Sequence, residues 1–274
     1  MAVRSVAVVE SVVADLQVET AEILTVLADL RASQWGALTP AAGWTIRDQV
    51  THLAYFDDAT LLAIEDAASF VTQREDLLAM GDDFADHVAG RYRELPAESC
   101  LEWFTRSRRR LLAAYLVTDP LRRIPWYGPD MGLASSVTGR LMETWAHGQD
   151  IVDTVGRVRP PTERLRSIAD LGVRTLGFSF HLNGRPPPTV PVRVELIAPD
   201  HRLWVWGPDD AVNRVTGSAV DFCLAVTQRR HLSDTNLTVT GPVATEWMSF
   251  AQAYAGGVGP GRPAGQRFAE RDLR

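Results

Sequence analysis

In the run Arg140-Leu141-Met142-Glu143-Thr144-Trp145-Ala146-His147 a carboxylate and an imidazole stand four residues apart. On an α-helix that spacing puts both side chains on one face, one turn apart. The two can reach one ion without bending the backbone, although a surface hydrogen bond explains the same spacing. A second histidine, His52, is followed by Leu53, Ala54, Tyr55 and Phe56. An imidazole in so apolar a setting is either a core residue bonded to a backbone carbonyl or a ligand supplied to another helix. Where the two helices face each other, His52, Glu143 and His147 form a set of two imidazoles and one carboxylate with coordination positions left open. Such a set suits catalytic zinc, and equally Fe(II) or Ni(II). Asp150, one turn beyond His147, could hold an imidazole N–H from behind or stand as an exposed acid. Arg140, one turn before Glu143, could reach a substrate anion or pair with an acid.

The other candidates carry weaker signals. Trp126-Tyr127-Gly128-Pro129 lies in the segment that leads into the Glu143 helix. Its rings would either wall a cofactor or substrate pocket beside the ion or plug the end of a helical bundle. Arg108, Arg109 and Arg110 are read as a solvated helix face. His87, His181, His201 and His231 fall in polar segments or at element ends and are assigned surface or structural roles. Cys100 and Cys223 match no metal or redox spacing and are expected to be buried, reduced thiols. The sequence contains no lysine, so Schiff-base and lysine general-base chemistry are excluded.

The elements that must position these residues follow from apolar periodicity. Val9, Val12, Val13, Leu16, Ile23, Leu27 and Leu30 repeat at helical spacing from about Val6 to Arg31. A second helix starts after Thr45, a predicted N-cap with Asp48 three residues on. A polar helical segment is expected over 73–93, and a third long helix after Pro96. Residues 119–132, with Pro120, Pro125, Gly128 and Pro129, are expected to be loop, and a fourth long helix spans 133–155. Four long helices in succession predict a helical bundle over 1–158. Beyond Pro160-Pro161 the pattern becomes mixed, with a helix over 162–182 and strands at 190–196, 203–206 and 237–239. Helices over 218–228 and 244–254 complete a small α+β domain at 159–257. Trp204 and Trp206, two apart on a strand, are expected to share the core face. A Gly/Pro/Arg-rich tail, 258–274, is expected to pack little.

Hydrophobic residues make up 46% of the 274 and charged residues 23%, a composition that supports a folded core. A net charge of -6 and a pI near 5.5 give no electrostatic reason to expect a nucleic-acid partner. No apolar run reaches the length of a membrane span, and acids interrupt the apolar N-terminus, unlike a signal peptide. The expectation is a cytoplasmic protein, monomeric or homodimeric, acting on a small molecule.

Gly43-Trp44-Thr45-Ile46-Arg47-Asp48-Gln49-Val50-Thr51-His52-Leu53-Ala54 resembles the signature of the DinB-like metal-binding bundles. Glu143-Thr144-Trp145-Ala146-His147-Gly148-Gln149-Asp150 resembles the second signature of the actinobacterial branch related to mycothiol-dependent maleylpyruvate isomerase. The resemblance covers nearly the whole chain. It implies a DinB-like four-helix bundle followed by a small α+β, sterol-carrier-like domain. It also implies His52, Glu143 and His147 as ligands of a divalent metal, zinc foremost, and mycothiol as a cosubstrate. A thiolate formed at the metal would serve cis-trans isomerisation or S-transfer on a small electrophile. The same resemblance points to a C-terminal arginine, Arg229 or Arg230, as a guanidinium for a carboxylate, where a solvated helix end is the plain alternative. A hydrolase, lyase or tailoring enzyme using metal-bound water, and a small-molecule binding protein with a structural metal, are the alternatives.

Overall fold

A computed structural model describes residues 2–81 and 83–266, and the chain divides into two compact units, 1–155 and 156–274. In the first unit the periodic apolar residues form α1 (Ala2–Ala28), and a short 3-10 turn over Ala32–Gly36 buries Trp35. Then follow α2 (Ile46–Glu65), α3 (Ala67–Leu78), α4 (Phe84–Arg91) and α5 (Ala97–Val117). The single polar helical segment expected over 73–93 is thus two shorter helices, broken around Gly81, whose φ is 107°. Between α5 and α6 (Leu133–Thr154), the expected loop contains two antiparallel two-residue strands. These are β1 (Arg123–Ile124) and β2 (Met131–Gly132), with Ile124 opposite Met131.

The start of α2 is fixed as its sequence predicts. The Thr45 amide donates to the Asp48 carboxylate at 2.8 Å and the Asp48 amide to Thr45 Oγ1 at 3.3 Å, a reciprocal cap. Ile23 and Leu27 of α1, Ile46, Val50, Leu53 and Ala54 of α2, Cys100 and Phe104 of α5 and Ile151 of α6 form one buried cluster. Burial of these side chains, about 1.5–3 kcal/mol each, supplies most of the drive that assembles four long helices. Both α2 and α6 are buried over most of their surface, which is unusual for bundle helices and makes their polar residues conspicuous.

In the second unit α7 (Leu165–Arg174) and α8 (Leu176–Leu182) replace the single helix expected over 162–182. The chain continues through β3 (Val192–Ile197), β4 (Leu203–Trp206), β5 (Asn213–Ser218), α9 (Ala219–Val226), β6 (Thr238–Thr240) and α10 (Pro242–Met248). The sheet order is β4-β3-β5-β6; β3 and β4 form an antiparallel hairpin, β3 and β5 run parallel, and β5 and β6 are antiparallel. The hairpin turns at Asp200-His201, where His201 adopts φ 66°. Helices α9 and α10 pack on the sheet, and α7 packs on α9. A Cβ on Gly172 of α7 would lie 2.8 Å from Val226 Cγ2, so only glycine allows α7 to approach α9 this closely. Trp204 is buried beside Trp206, with ring centroids 6.4 Å apart and the Arg166 guanidinium against both rings. The fold class is α+β, a four-helix bundle followed by a small mixed-sheet unit, as expected.

Among the described residues beyond Gly256, 257–266, there is no regular structure, yet this stretch packs more than its composition suggests. Arg262 is buried and the Gly265 amide donates to the Asp234 carboxylate. The remainder of the expected tail, 267–274, lies outside the described residues. Among the described residues no helix is long and apolar enough to cross a membrane.

Candidate metal site in the helical bundle

His52 projects from α2, and Glu143 and His147 from successive turns of α6. Glu143 Oε2 lies 3.0 Å from His147 Nε2 and 3.8 Å from His52 Nε2. The two imidazole centroids are 4.3 Å apart, and one donor atom from each of the three residues lies within 4.8 Å of the other two. Tetrahedral coordination with bonds near 2.0–2.1 Å separates neighbouring donors by about 3.3 Å. The observed spacings bracket that value, so a cation fits among the three with only small side-chain shifts. Burial pushes the Glu143 carboxyl up, but hydrogen bonds to His147 and His52, and the charge those rings can carry, hold it well below the usual carboxylate range. It is therefore ready as an anionic donor.

Aromatic rings enclose the donor set. The Trp44 indole stacks on His147 with 5.9 Å between centroids and 18° between planes, and meets His52 at 5.2 Å. Phe56, one turn beyond His52, lies 4.6 Å from that ring. Trp44 is held by its indole N–H, which donates to Asp86 of α4.

Behind His147 stands a residue that the sequence reading passed over. Nδ1 of His147 is bonded to Oε1 of Gln49, a fully buried residue of α2. Gln49 precedes His52 by three residues and so shares its helical face; a lone amide on an otherwise apolar face was the available signal. Asp150, read either as steadying an imidazole or as an exposed acid, is fully buried on α6, which overturns the second reading, while the nitrogen of His147 that faces away from Glu143 is taken by Gln49.

Arg140 pairs with an acid, the second of the two roles expected for it. Its Nε donates to Asp57 Oδ1 at 3.0 Å and its Nη2 to the Leu53 carbonyl at 3.2 Å, both on α2. Asp57 also receives Arg108 of α5 through Nε at 2.7 Å and Nη2 at 3.1 Å. The expectation that Arg108 belongs to a solvated face is therefore corrected. Successive helical residues point about 100° apart, so three consecutive arginines cannot share a face; Arg109 and Arg110 are exposed while Arg108 turns inward.

Trp126 and Tyr127 pack into the bundle. Trp126 stacks on Phe70 at 5.9 Å and 5°, Tyr127 stacks on Phe84 at 5.2 Å and 19°, and both meet the edge of Phe56. Both rings lie one ring behind His52 and are only partly buried. Arg229 and Arg230 lie in the second unit, just after α9. Gln228 adopts φ 55°, and the amides of both arginines close on the Leu224 carbonyl at 2.7 and 3.2 Å. The guanidinium of Arg229 donates to the Thr227 carbonyl and that of Arg230 to the Arg229 carbonyl. Cys100 and Cys223 are free thiols, both buried as expected. Burial pushes the Cys100 thiol up to about 11 and that of Cys223 further still. His87 pairs with Asp83 on the surface at 3.4 Å, and the ring of His231 caps a 3-10 turn.

Two crystal structures, of the mycothiol-dependent maleylpyruvate isomerase and of its histidine-to-alanine variant, match the chain with TM-scores of 0.58. They are 17% and 16% identical, over 86% of this chain and 95% of theirs, a likeness that shows a shared fold. Residues 188–240 are similar to the family described as wyosine base formation. The uncharacterized proteins MT0041 and Rv0036c of two Mycobacterium tuberculosis strains are each 45% identical to the chain over 251 residues, 91% of this chain and 97% of theirs. Residues 16–152 match the family described as the mycothiol maleylpyruvate isomerase N-terminal domain, and that segment runs from within α1 to within α6 and includes all three candidate ligands. The chain belongs to that family, the branch of DinB-like bundles to which its two signatures pointed.

Proposed function

We propose that the chain is a metal-dependent enzyme in which His52, Glu143 and His147 hold one divalent cation, zinc foremost, and which uses a low-molecular-weight thiol of the mycothiol type. The reaction is cis-trans isomerisation of, or S-transfer to, a small electrophile. The observation that carries this reading is the convergence of two imidazoles and one carboxylate from α2 and α6 on a single point. When bound, the cation supplies positive charge that stabilises a thiolate at neutral pH.

The chain's own residues define what that site accepts. Two neutral imidazoles and one carboxylate leave a divalent cation with one positive charge in excess, so an anionic fourth ligand is favoured. Three protein ligands leave room for one, as in catalytic rather than structural sites. Trp44 and Phe56 restrict water around the donors, which strengthens every electrostatic contact there. The thiol has to come from outside the chain, because both cysteines are buried. Trp126 and Tyr127 shape the wall behind Phe56. Arg229 and Arg230 are our candidates for an anionic end of the substrate or thiol, a role that rests on the sequence resemblance.

The test is metal analysis followed by thiol titration. The purified protein is expected to bind about one equivalent of zinc or cobalt, and His52→Ala to lose it. Full metal retention by that variant refutes the site. Mycothiol is expected to change the visible spectrum of the cobalt form; a spectrum indifferent to it refutes the thiol reading.

A further inference from the structure

The hydrogen bonds behind the candidate ligands have a direction, and it can be followed from one end. The Trp44 backbone carbonyl can only accept, and it receives the Thr39 hydroxyl at 2.9 Å. With its proton committed there, Thr39 Oγ1 offers a lone pair, which receives the Gln49 amide NH2 at 2.8 Å. That fixes the orientation of a side chain whose oxygen and nitrogen are otherwise interchangeable. Gln49 Oε1 is thereby left facing His147 Nδ1. A carbonyl oxygen cannot donate, so Nδ1 carries a hydrogen, which leaves Nε2, the nitrogen that faces Glu143, as the one that can give a lone pair to a cation.

We propose that Thr39 and Gln49 are positioning residues that set the tautomer of His147, with the Trp44 carbonyl as the fixed origin of the relay. The proposal deepens the metal-site reading and rests on it for its consequence, ligand readiness. Trp44 then acts twice, since its carbonyl orders the relay while its indole stacks on the same imidazole and fixes the ring plane. The outer acceptor is an amide and not a carboxylate, so it orients the ring without adding a negative charge behind it. The excess positive charge of a loaded site is therefore left for an incoming anion.

Long-range 1H–15N correlation of His147 tests the relay directly, in both the metal-free and the zinc-loaded protein. The wild type is expected to carry a hydrogen on Nδ1 both with zinc bound and without it. Gln49→Met, of similar volume but with no acceptor, is expected to lose that preference and to bind zinc roughly 10–100-fold more weakly. Gln49→Glu retains an acceptor and is expected to keep the Nδ1–H form. Thr39→Val, which frees the amide to turn over while leaving the core packed, is expected to fall between. A neutral His147 with its hydrogen on Nε2 in the wild type overturns the proposal, and so does unchanged zinc affinity in Gln49→Met. Failure of the metal reading looks different: the wild type and His52→Ala then bind zinc equally poorly, while the Nδ1–H signature of the metal-free wild type still answers for the relay.

Discussion

Replacing Asp57 with asparagine removes one charge and almost no volume from the middle of the bundle. Asp57 is 0% exposed, Arg108 1% and Arg140 3%. One carboxylate oxygen receives Arg108 Nε, and the other receives Arg108 Nη2 and Arg140 Nε. In Asp57→Asn the amide NH2 would face a guanidinium, and two buried positive charges would confront each other without a counter-ion. Breaking a buried pair in this way costs about 3–5 kcal/mol. For a unit of this size each kcal/mol lowers the melting temperature by roughly 2–4 °C, so the bundle transition should fall by roughly 6–20 °C. The loss should also reach the candidate site, because Arg140 ties α6 to the Leu53 carbonyl, the residue next to His52. Far-UV circular dichroism melts, paired with zinc titration, read both effects. A triple variant, Asp57→Leu with Arg108→Met and Arg140→Met, removes all the charges together and should regain most of the lost stability. The reasoning is refuted if Asp57→Asn melts within about 2 °C of wild type, below the smallest expected shift, or if the triple variant is less stable than the single one.

Three further outcomes are expected. Neither cysteine should react with a disulfide reagent at pH 8 in the folded protein: Cys100, pushed up to about 11, is thiolate there in only about one molecule in a thousand. Both should react once the chain is unfolded, and labelling of the native protein would contradict their burial. Acidification should strip cobalt from the site through protonation of His52 and His147, because Glu143, held low, remains a carboxylate until the pH is well below the usual carboxylate range. Absorbance of the cobalt form followed down in pH checks this, and an absorbance lost only where Glu143 itself is protonated would exclude the imidazoles as ligands. Asn213→Ala should loosen α10, because Asn213 Oδ1 accepts the amides of Val243 and Ala244 at 2.9 and 3.4 Å. The cost is about 1–2 kcal/mol, read as faster amide exchange in α10 with the bundle unchanged.

How far the sequence revealed this protein depended on whether a signal was local. The cap at Thr45 and Asp48 and the four long helices were legible because capping and 3.6-residue periodicity act within a few residues. The pairing of Glu143 with His147 was legible for the same reason. β5 was not: in Asn213-Arg214-Val215-Thr216-Gly217-Ser218 only Val215 is a buried apolar residue, and its strand character comes from parallel pairing with β3. The helix expected over 244–254 stops at Met248. Its apolar continuation is instead irregular, with the Gln252 amide on Ser179 Oγ and the Ala253 amide on the Val226 carbonyl. Buried irregular chain and buried helix carry the same apolar composition, so periodicity could not separate them. The inward turn of Arg108 depends on an acid 51 positions earlier, a distance at which no spacing rule operates.

The same division between local and distant signals bears on how a bundle can hold a cation at all. Apolar packing selects which helices meet, but cores tolerate repacking and small shifts of one helix against another. A metal site tolerates deviations of only about 0.2 Å in its ligand distances. Two polar contacts cross from α6 to α2 on either side of Glu143, one made by Arg140 to Asp57 and Leu53 and the other by His147 to Gln49. Along α6 these residues fall at 140, 143 and 147, so clamp, carboxylate and imidazole follow one helical stripe. Hydrogen bonds are directional where dispersion is not. Bracketing Glu143 between two of them limits both sliding and rotation of α6 against the helix that supplies His52. On this account substitutions at Asp57 and Gln49 should weaken zinc binding even where the helical content of the bundle is unchanged. A pair of such variants with native circular dichroism and native zinc affinity would show instead that apolar packing alone holds the three donors in place.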